Sequence, residues 1–429
     1  MANSENMPTQ GRDNVAGLLT LNNLQYTLPN DLSVSISRTS TTQYFQSKGY
    51  GPSQNMINVL NTGASYIHPQ RSFLRLDLIN TGSDAMSFGA GSAANLFDRS
   101  IISSRDGSTL ERLESLNLLA RVRQNYEYDS NYGQTVLSAA GGRYNGTTEA
   151  SSDTKFIQPG ETVRLIIPMS LISPLFSSAQ LLPNSMVSGL RIDLQLATAN
   201  RAFQKSTTNA STTSLDYSIT DCAVVTEAYQ LSDLVLRTLN QMSSSAGLEY
   251  VYNTYFTTSG KRSSTTVSIE SRKAVSRALM AFYIETASES ATEEYKVDSF
   301  RSITPAATDI QARVGSLYLP SQSSLRGNFP YHLSPELYAH ALLAFDKYRQ
   351  STNSAAVTLQ DFENGAAIFA SSLERDTLGG AGIPLSNSRI LAVDATFTPP
   401  PEGVSYFAAL YLKYTSLARI YLSNIVLET

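Results

Sequence analysis

A single cysteine, Cys222, excludes an intrachain disulfide framework, and with it the stapled fold of small secreted scaffolds. It also points to a reducing compartment at synthesis. Cys222 sits in the apolar run Cys222-Ala223-Val224-Val225 and reads as a small core residue rather than a nucleophile. Tryptophan is absent, which argues against stacked sugar-binding faces. Charged residues make up only 16% and the formal net charge is −4; that balance argues against a duplex DNA binder, which needs cations to neutralise phosphates. No run approaches ~18 uninterrupted apolar residues, so no transmembrane helix is expected. The start Met1-Ala2-Asn3-Ser4-Glu5-Asn6 lacks the basic and apolar regions of a signal peptide. Asn145-Gly146-Thr147 and Asn209-Ala210-Ser211 match the glycosylation pattern, as chance allows in a chain rich in Asn, Ser and Thr.

Chemistry-bearing constellations are equally scarce. The three histidines are His68, His332 and His340. His68 precedes Pro69 in an expected loop. His340 lies four residues after Glu336 on an expected helix; the pair lacks a third ligand and reads as a solvated i,i+4 couple. Gly260-Lys261-Arg262-Ser263 lacks the upstream glycine of a phosphate loop, and Gly379-Gly380-Ala381-Gly382 has no phosphate-binding spacing. No serine stands in a nucleophile-elbow context. No catalytic, cofactor-binding or metal-binding residue is assigned, no cofactor is expected, and the chain is read as a non-enzyme.

What is present is alternation. In Ser188–Ala197, Leu190, Ile192, Leu194 and Leu196 alternate with Arg191, Asp193 and Gln195, which predicts a strand with one buried and one wet face. An apolar loop ending in Pro183-Asn184 leads into it. Leu32, Val34 and Ile36 give a first strand, and Leu74, Leu76 and Leu78 another. Asp106-Gly107 between apolar runs predicts a hairpin with φ > 0 at both central positions. Leu116, Leu119, Val122 and Tyr126 predict a helix whose Arg121 and Arg123 face solvent. Residues 129–155 and 201–216 read as polar loops. Pro159-Gly160 starts a strand carrying Val163, Leu165 and Ile167.

A second half starts after Ser243-Ser244-Ser245-Ala246-Gly247. Tyr250, Tyr252, Thr254 and Phe256 share a strand face, Ser259–Ser264 is a turn, and Val267 and Ile269 resume the strand pattern. Ser334-Pro335-Glu336 caps a helix with Tyr338, Ala341, Leu342, Phe345 and Tyr348 on its apolar side. Leu391, Val393, Ala395 and Phe397 form a strand, and 404–415 and 418–428 close the chain. Length allows two or three domains, and runs of neighbouring strands argue for sandwiches over a βαβ sheet.

Several of these stretches, in order, resemble the double jelly-roll major capsid proteins of double-stranded DNA viruses, nearest to the polinton-like and virophage group. They are Asn95-Leu96-Phe97-Asp98-Arg99 with the Asp106-Gly107 hairpin and Leu113–Leu119; Ile167-Pro168-Met169-Ser170 through Leu181-Leu182-Pro183 to Gly189–Leu194; Gly315–Pro320 with the Pro335–Tyr348 helix; and Gly380–Ser386 with the closing strands. The resemblance implies an all-β fold: two jelly-roll sandwiches with a short helix or two inserted in each. The expected division is an N-terminal arm at 1–21, a first jelly roll at 22–245 and a second at 246–429. It implies a homotrimer with a pseudo-hexagonal outline that tiles an icosahedral shell within a virion assembled inside the host cell. Its partners would be neighbouring capsomers, penton proteins and minor capsid proteins, without specific nucleic-acid binding; an internal membrane is left open. Abundant Tyr (23 residues) and low charge suit permanent interfaces, which bury roughly 2,000–5,000 Å². A carbohydrate-binding or carbohydrate-active sandwich and a viral spike module are the alternatives.

Overall fold

The computed structural model describes residues 35–88, 91–142, 156–205, 214–262, 266–271, 278–286, 307–319, 335–345, 347–348, 355, 357–359, 362, 368–373, 391–397, 405–421 and 425–428. The expected arm, Leu32, Val34, both glycosylation matches, His332, Ser334 and Gly379–Gly382 lie outside them.

Sixteen main strands fall into two sets of eight. The first set is β1 (Ser35–Tyr44), β2 (Asn55–Val59), β3 (Tyr66–Asn80), β4 (Phe97–Ser103), β5 (Thr109–Glu114), β6 (Thr162–Pro168), β7 (Arg191–Leu196) and β8 (Tyr217–Leu231). The second is β9 (Leu248–Arg262), β10 (Thr266–Ser271), β11 (Ala278–Thr286), β12 (Ala307–Val314), β13 (Leu317–Leu319), β14 (Phe369–Ser372), β15 (Leu391–Phe397) and β16 (Ser405–Ile420). The first set forms sheets in the orders β1-β8-β3-β6 and β2-β7-β4-β5; the second forms β9-β16-β11-β14 and β10-β15-β12-β13. Both sets therefore follow one rule. The first strand of eight pairs with the last, the last with the third, the third with the sixth; the remaining four run second, seventh, fourth, fifth. Eight antiparallel strands in two facing sheets with this order are a jelly roll, and the chain contains it twice. Four helices longer than one turn are described: α1 (Leu116–Tyr126), α2 (Ser130–Ala139), α3 (Asp233–Ser245) and α4 (Pro335–Ala344). α1 follows the fifth strand of the first sandwich, and α4 the fifth of the second.

The strand periodicity locates the core. Leu74, Leu76 and Leu78 of β3 are fully buried, as are Ile192 and Leu194 of β7. Leu194 sits in register with Met56 of β2 and Ser100 of β4. Cys222 is buried in β8, and burial pushes its thiol well above the ordinary cysteine range.

Several expectations are corrected. The 104–108 hairpin has positive φ at Gly107 (88°) but not at Asp106. Ser104 accepts from the Gly107 N–H and donates its own N–H to Ser108 O, so the loop is a turn followed by a left-handed glycine, with a register shift at Ile102/Ser103. Arg121 and Arg123 are buried rather than solvated, and residues of the second sandwich cover α1 at Arg123 and Tyr126. Tyr126 stacks on Phe345 at 5.3 Å, and Arg123 lies over the Tyr255 ring. Part of the 129–155 loop is α2, whose first turn is capped by the Asp129 side chain accepting from the Tyr132 N–H.

His68 is buried inside β3, not in a loop. Burial, with Arg71 and Arg38 nearby, lowers its pKa to about 4 and keeps the ring neutral. Pro183-Asn184 opens a one-turn helix, Asn184–Val187, and the 201–216 loop includes the end of a short helix, Ala199–Ala202, and a two-residue strand, Gln204–Lys205. Ile36 is exposed, since β1 presents an open face. Ser243–Ser245 is the last turn of α3, closed by Gly247 at φ 79° with its N–H bonded to Met242 O. Ser259–Arg262 continues β9 instead of turning. β16 runs unbroken through 416–417. On α4, Leu337 and Ala341 are the buried residues, while Tyr348 lies beyond the helix and is exposed.

Candidate functional site at the sandwich junction

Strand order puts β5 and β9 at the edges of their sheets, and there the two sandwiches meet. Side chains alternate across β9, and the first sandwich reaches both faces. On one face, Tyr252 donates to Leu110 O at 2.7 Å and Thr254 donates to the Glu111 carboxylate at 2.6 Å. On the other, the Tyr255 hydroxyl donates to Glu127 just past α1, and Thr257 Oγ1 accepts from the Glu114 N–H at 2.9 Å. From β16, Lys413 Nζ donates to Glu127 Oε1 at 2.8 Å, and Tyr411 donates to Ser115 O at 2.9 Å. Ser115 carries φ 49°, a strained value for a non-glycine residue, at the entry to α1. The Ile425 N–H donates to Asp106 at the hairpin tip.

Two carboxylates organise this contact. Glu127 bridges Arg123, whose Nε is 2.7 Å away, to Lys413 of the second sandwich. Burial alone would raise its carboxyl, but Lys413 and Arg123 outweigh that and hold it well below the usual carboxylate range. Arg123 spends its other donors on Ser170 O at 2.7 Å and on the Tyr128 hydroxyl at 3.3 Å. A cleft of about 660 Å³ opens alongside, lined by Arg123, Glu127, Tyr255 and Lys413. Lys347 lines it as well, and on its wall Arg123 and Lys413 share Glu127, so those three residues serve as a clamp between sandwiches.

Glu111 is only 2% exposed and accepts from Ser173 and Thr254. Burial raises its pKa from 4.5 to about 7, against the lowering pull of those hydroxyls and of Arg123. A carboxyl whose pKa rises on folding stabilises the protein at low pH and loses that contribution as pH climbs from about 4.5 to 7. Glu111→Gln should therefore flatten the stability change between pH 5 and pH 8, by roughly 3 kcal/mol at most. Urea midpoints of both proteins at the two pH values check this; parallel midpoints would sink it. The hydroxyls of Ser173 and Thr254 can rotate to serve the amide.

Of the residues singled out in the sequence, Glu336 and His340 share α4, with Glu336 exposed and His340 half-buried. Among the described residues no group of three potential metal ligands comes together, and no helix is long and apolar enough to cross a membrane. The clamp was not anticipated. Its visible signals are the i,i+4 spacing of Arg123 and Glu127 and a lone lysine, Lys413, inside a long apolar strand.

No family model and no curated protein matches the sequence. Known structures do. A chain of the Sputnik virophage, determined by cryo-EM, superposes with a TM-score of 0.59 at 11% identity, covering 99% of this chain and 93% of that one. The Faustovirus major capsid protein gives 0.55 at 8% identity, covering 93% of each chain. The mavirus major capsid protein gives 0.52 at 12% identity, covering 100% of this chain and 96% of its own. With its doubled strand order and this end-to-end likeness, the chain has the double jelly-roll fold found in viral major capsid proteins.

Proposed function

We propose that this chain is the major capsid protein of a double-stranded DNA virus, a structural protein without enzymatic activity. Three copies form a pseudo-hexagonal capsomer, and capsomers tile an icosahedral shell with penton and minor capsid proteins. The observation that carries this reading is the doubled jelly roll with a buried clamp between its halves. Two similar sandwiches held rigidly side by side give one chain two nearly equal sides of a polygon. The division follows: residues 22–245 build one jelly roll, 246–429 the other, and 1–21 stand apart as an arm. It is supported by strand pairing, since among the described residues no strand of β1–β8 pairs with one of β9–β16. The place of action is the virion, after assembly in the host cell.

Native mass spectrometry of the purified protein tests the reading. Three chains of 46.6 kDa should give a species of about 140 kDa. A stable monomer across micromolar concentrations would overturn it.

A further inference from the structure

A second cleft, of about 760 Å³, opens where the 104–108 hairpin, α3 and the second sandwich meet. Three of the side chains lining it have polar tips unspent among the described residues. The Asn184 side-chain oxygen is buried and accepts no hydrogen bond. The Tyr66 hydroxyl and the Arg105 guanidinium line the same cleft without a hydrogen-bond or ion-pair partner. Burial pushes the Tyr66 phenol up to about 12, so it stays a donor. Arg105 is held in place by its stem. A Cβ at Gly189 would lie 3.0 Å from its Cβ and Cγ, and the glycine, at φ 90°, leaves that room.

The acid next door does not use the arginine. Asp106 accepts from the Ser104 hydroxyl, from the Ser108 N–H at 3.1 Å and from the Ile425 N–H at 3.2 Å. Those donors hold its carboxyl below the usual carboxylate range. One cation and one phenol therefore face the cleft as donors, and one amide oxygen as an acceptor. The donors call for an anion, and the acceptor calls for a hydroxyl on the same molecule. Leu236, Leu248 and Ile425 add an aliphatic wall, which suits the C–H face of a sugar ring. A nucleotide would ask for more cations and an aromatic face; one arginine matches one anionic group.

We propose that this cleft binds a small acidic sugar, whose carboxylate or phosphate meets Arg105 and Tyr66 and whose hydroxyl donates to Asn184. The site lies within one chain and stands apart from the capsomer reading. Its ligand would touch the first sandwich, α3 and the second sandwich together, and so favour the joined arrangement.

Saturation-transfer NMR on the full chain tests this, with glucuronate, glucose 6-phosphate and glucose as probes. One or both charged probes should bind with a Kd on the order of 1 mM, ordinary for ligands this small. The tighter of the two names the anionic group. Glucose should bind at least about tenfold more weakly, and Arg105→Gln should weaken the charged probe by about tenfold or more. Asn240→Trp should abolish binding, because it fills the cleft from an exposed position on α3. Both positions are exposed, so the variants should keep the thermal midpoint of the parent. Absence of binding by either charged probe at about 20 mM would overturn the proposal. Glucose binding as tightly as the charged probes would overturn it too. So would charged-probe affinity unchanged in Arg105→Gln or Asn240→Trp, which would place the ligand elsewhere.

Discussion

Leu194→Asp should yield no folded protein. Leu194 is fully buried in β7, between Met56 and Ser100 of the strands on either side. Its ladder partners Met56 and Ser100 supply no cation, so the new carboxylate would be desolvated without a counter-charge beside it on the sheet. Losses of this kind exceed the usual range for point mutants, at more than about 4–5 kcal/mol. Ordinary domains hold only about 5–15 kcal/mol in total. Leu194→Ala serves as the measure of scale, since it removes volume alone and should cost about 2–5 kcal/mol. Soluble yield and far-UV circular dichroism of both variants decide the matter. A normal yield of folded Leu194→Asp protein would mean that the register of β7 is wrong.

Glu127→Ala should loosen one sandwich from the other. The substitution leaves the Arg123 guanidinium buried with its ion-pair partner gone, and deprives Lys413 and Tyr255 of their common acceptor. Breaking a buried pair from one side costs about 3–5 kcal/mol. Here the loss falls on the contact between sandwiches and leaves both cores intact. Denaturant unfolding, followed by tyrosine emission because the chain lacks tryptophan, should split from one transition into two. Replacing Arg123, Glu127 and Lys413 together by Met, Leu and Met should recover a single transition, because apolar side chains of similar volume substitute well for buried ions. An unchanged midpoint in Glu127→Ala would show that the clamp does not couple the halves.

The alternating strands were legible in the sequence because one of their faces is buried and the other wet. β3 and β7 announce themselves through Leu74, Leu76, Leu78 and through Ile192 and Leu194. Where both faces of an element are covered, that signal fails. Arg121 and Arg123 look like the solvated side of α1, yet both are buried, Arg123 beneath Tyr255 of the second sandwich. The order of pairing leaves no local trace either. β1 and β8 join residues about 190 positions apart, as Ser37 to Gln230, and nothing in either segment names the other. The clamp is hidden for the same reason: Glu127 and Lys413 are 286 positions apart and acquire meaning only when two edges meet. Polar stretches such as Ser243–Ser245 and Ser259–Arg262 mislead through composition, since serine and threonine are tolerated at helix ends and suited to strands.

The first-with-last pairing of each sandwich also sets an order in time. The β1-β8 ladder joins Ser35 to Leu231, and the β9-β16 ladder joins Leu248 to Ile420. As the chain leaves the ribosome, the first sandwich can close once residue 231 has emerged. The second must wait until residue 420, about 10–40 s later at ordinary synthesis rates. Through that interval Glu111, Arg123 and Glu127 lie open on a finished sandwich whose cover has not yet been made. A nascent neighbour on the same messenger could offer its own β9 there, so dilute translation should favour correctly joined chains over exchanged ones.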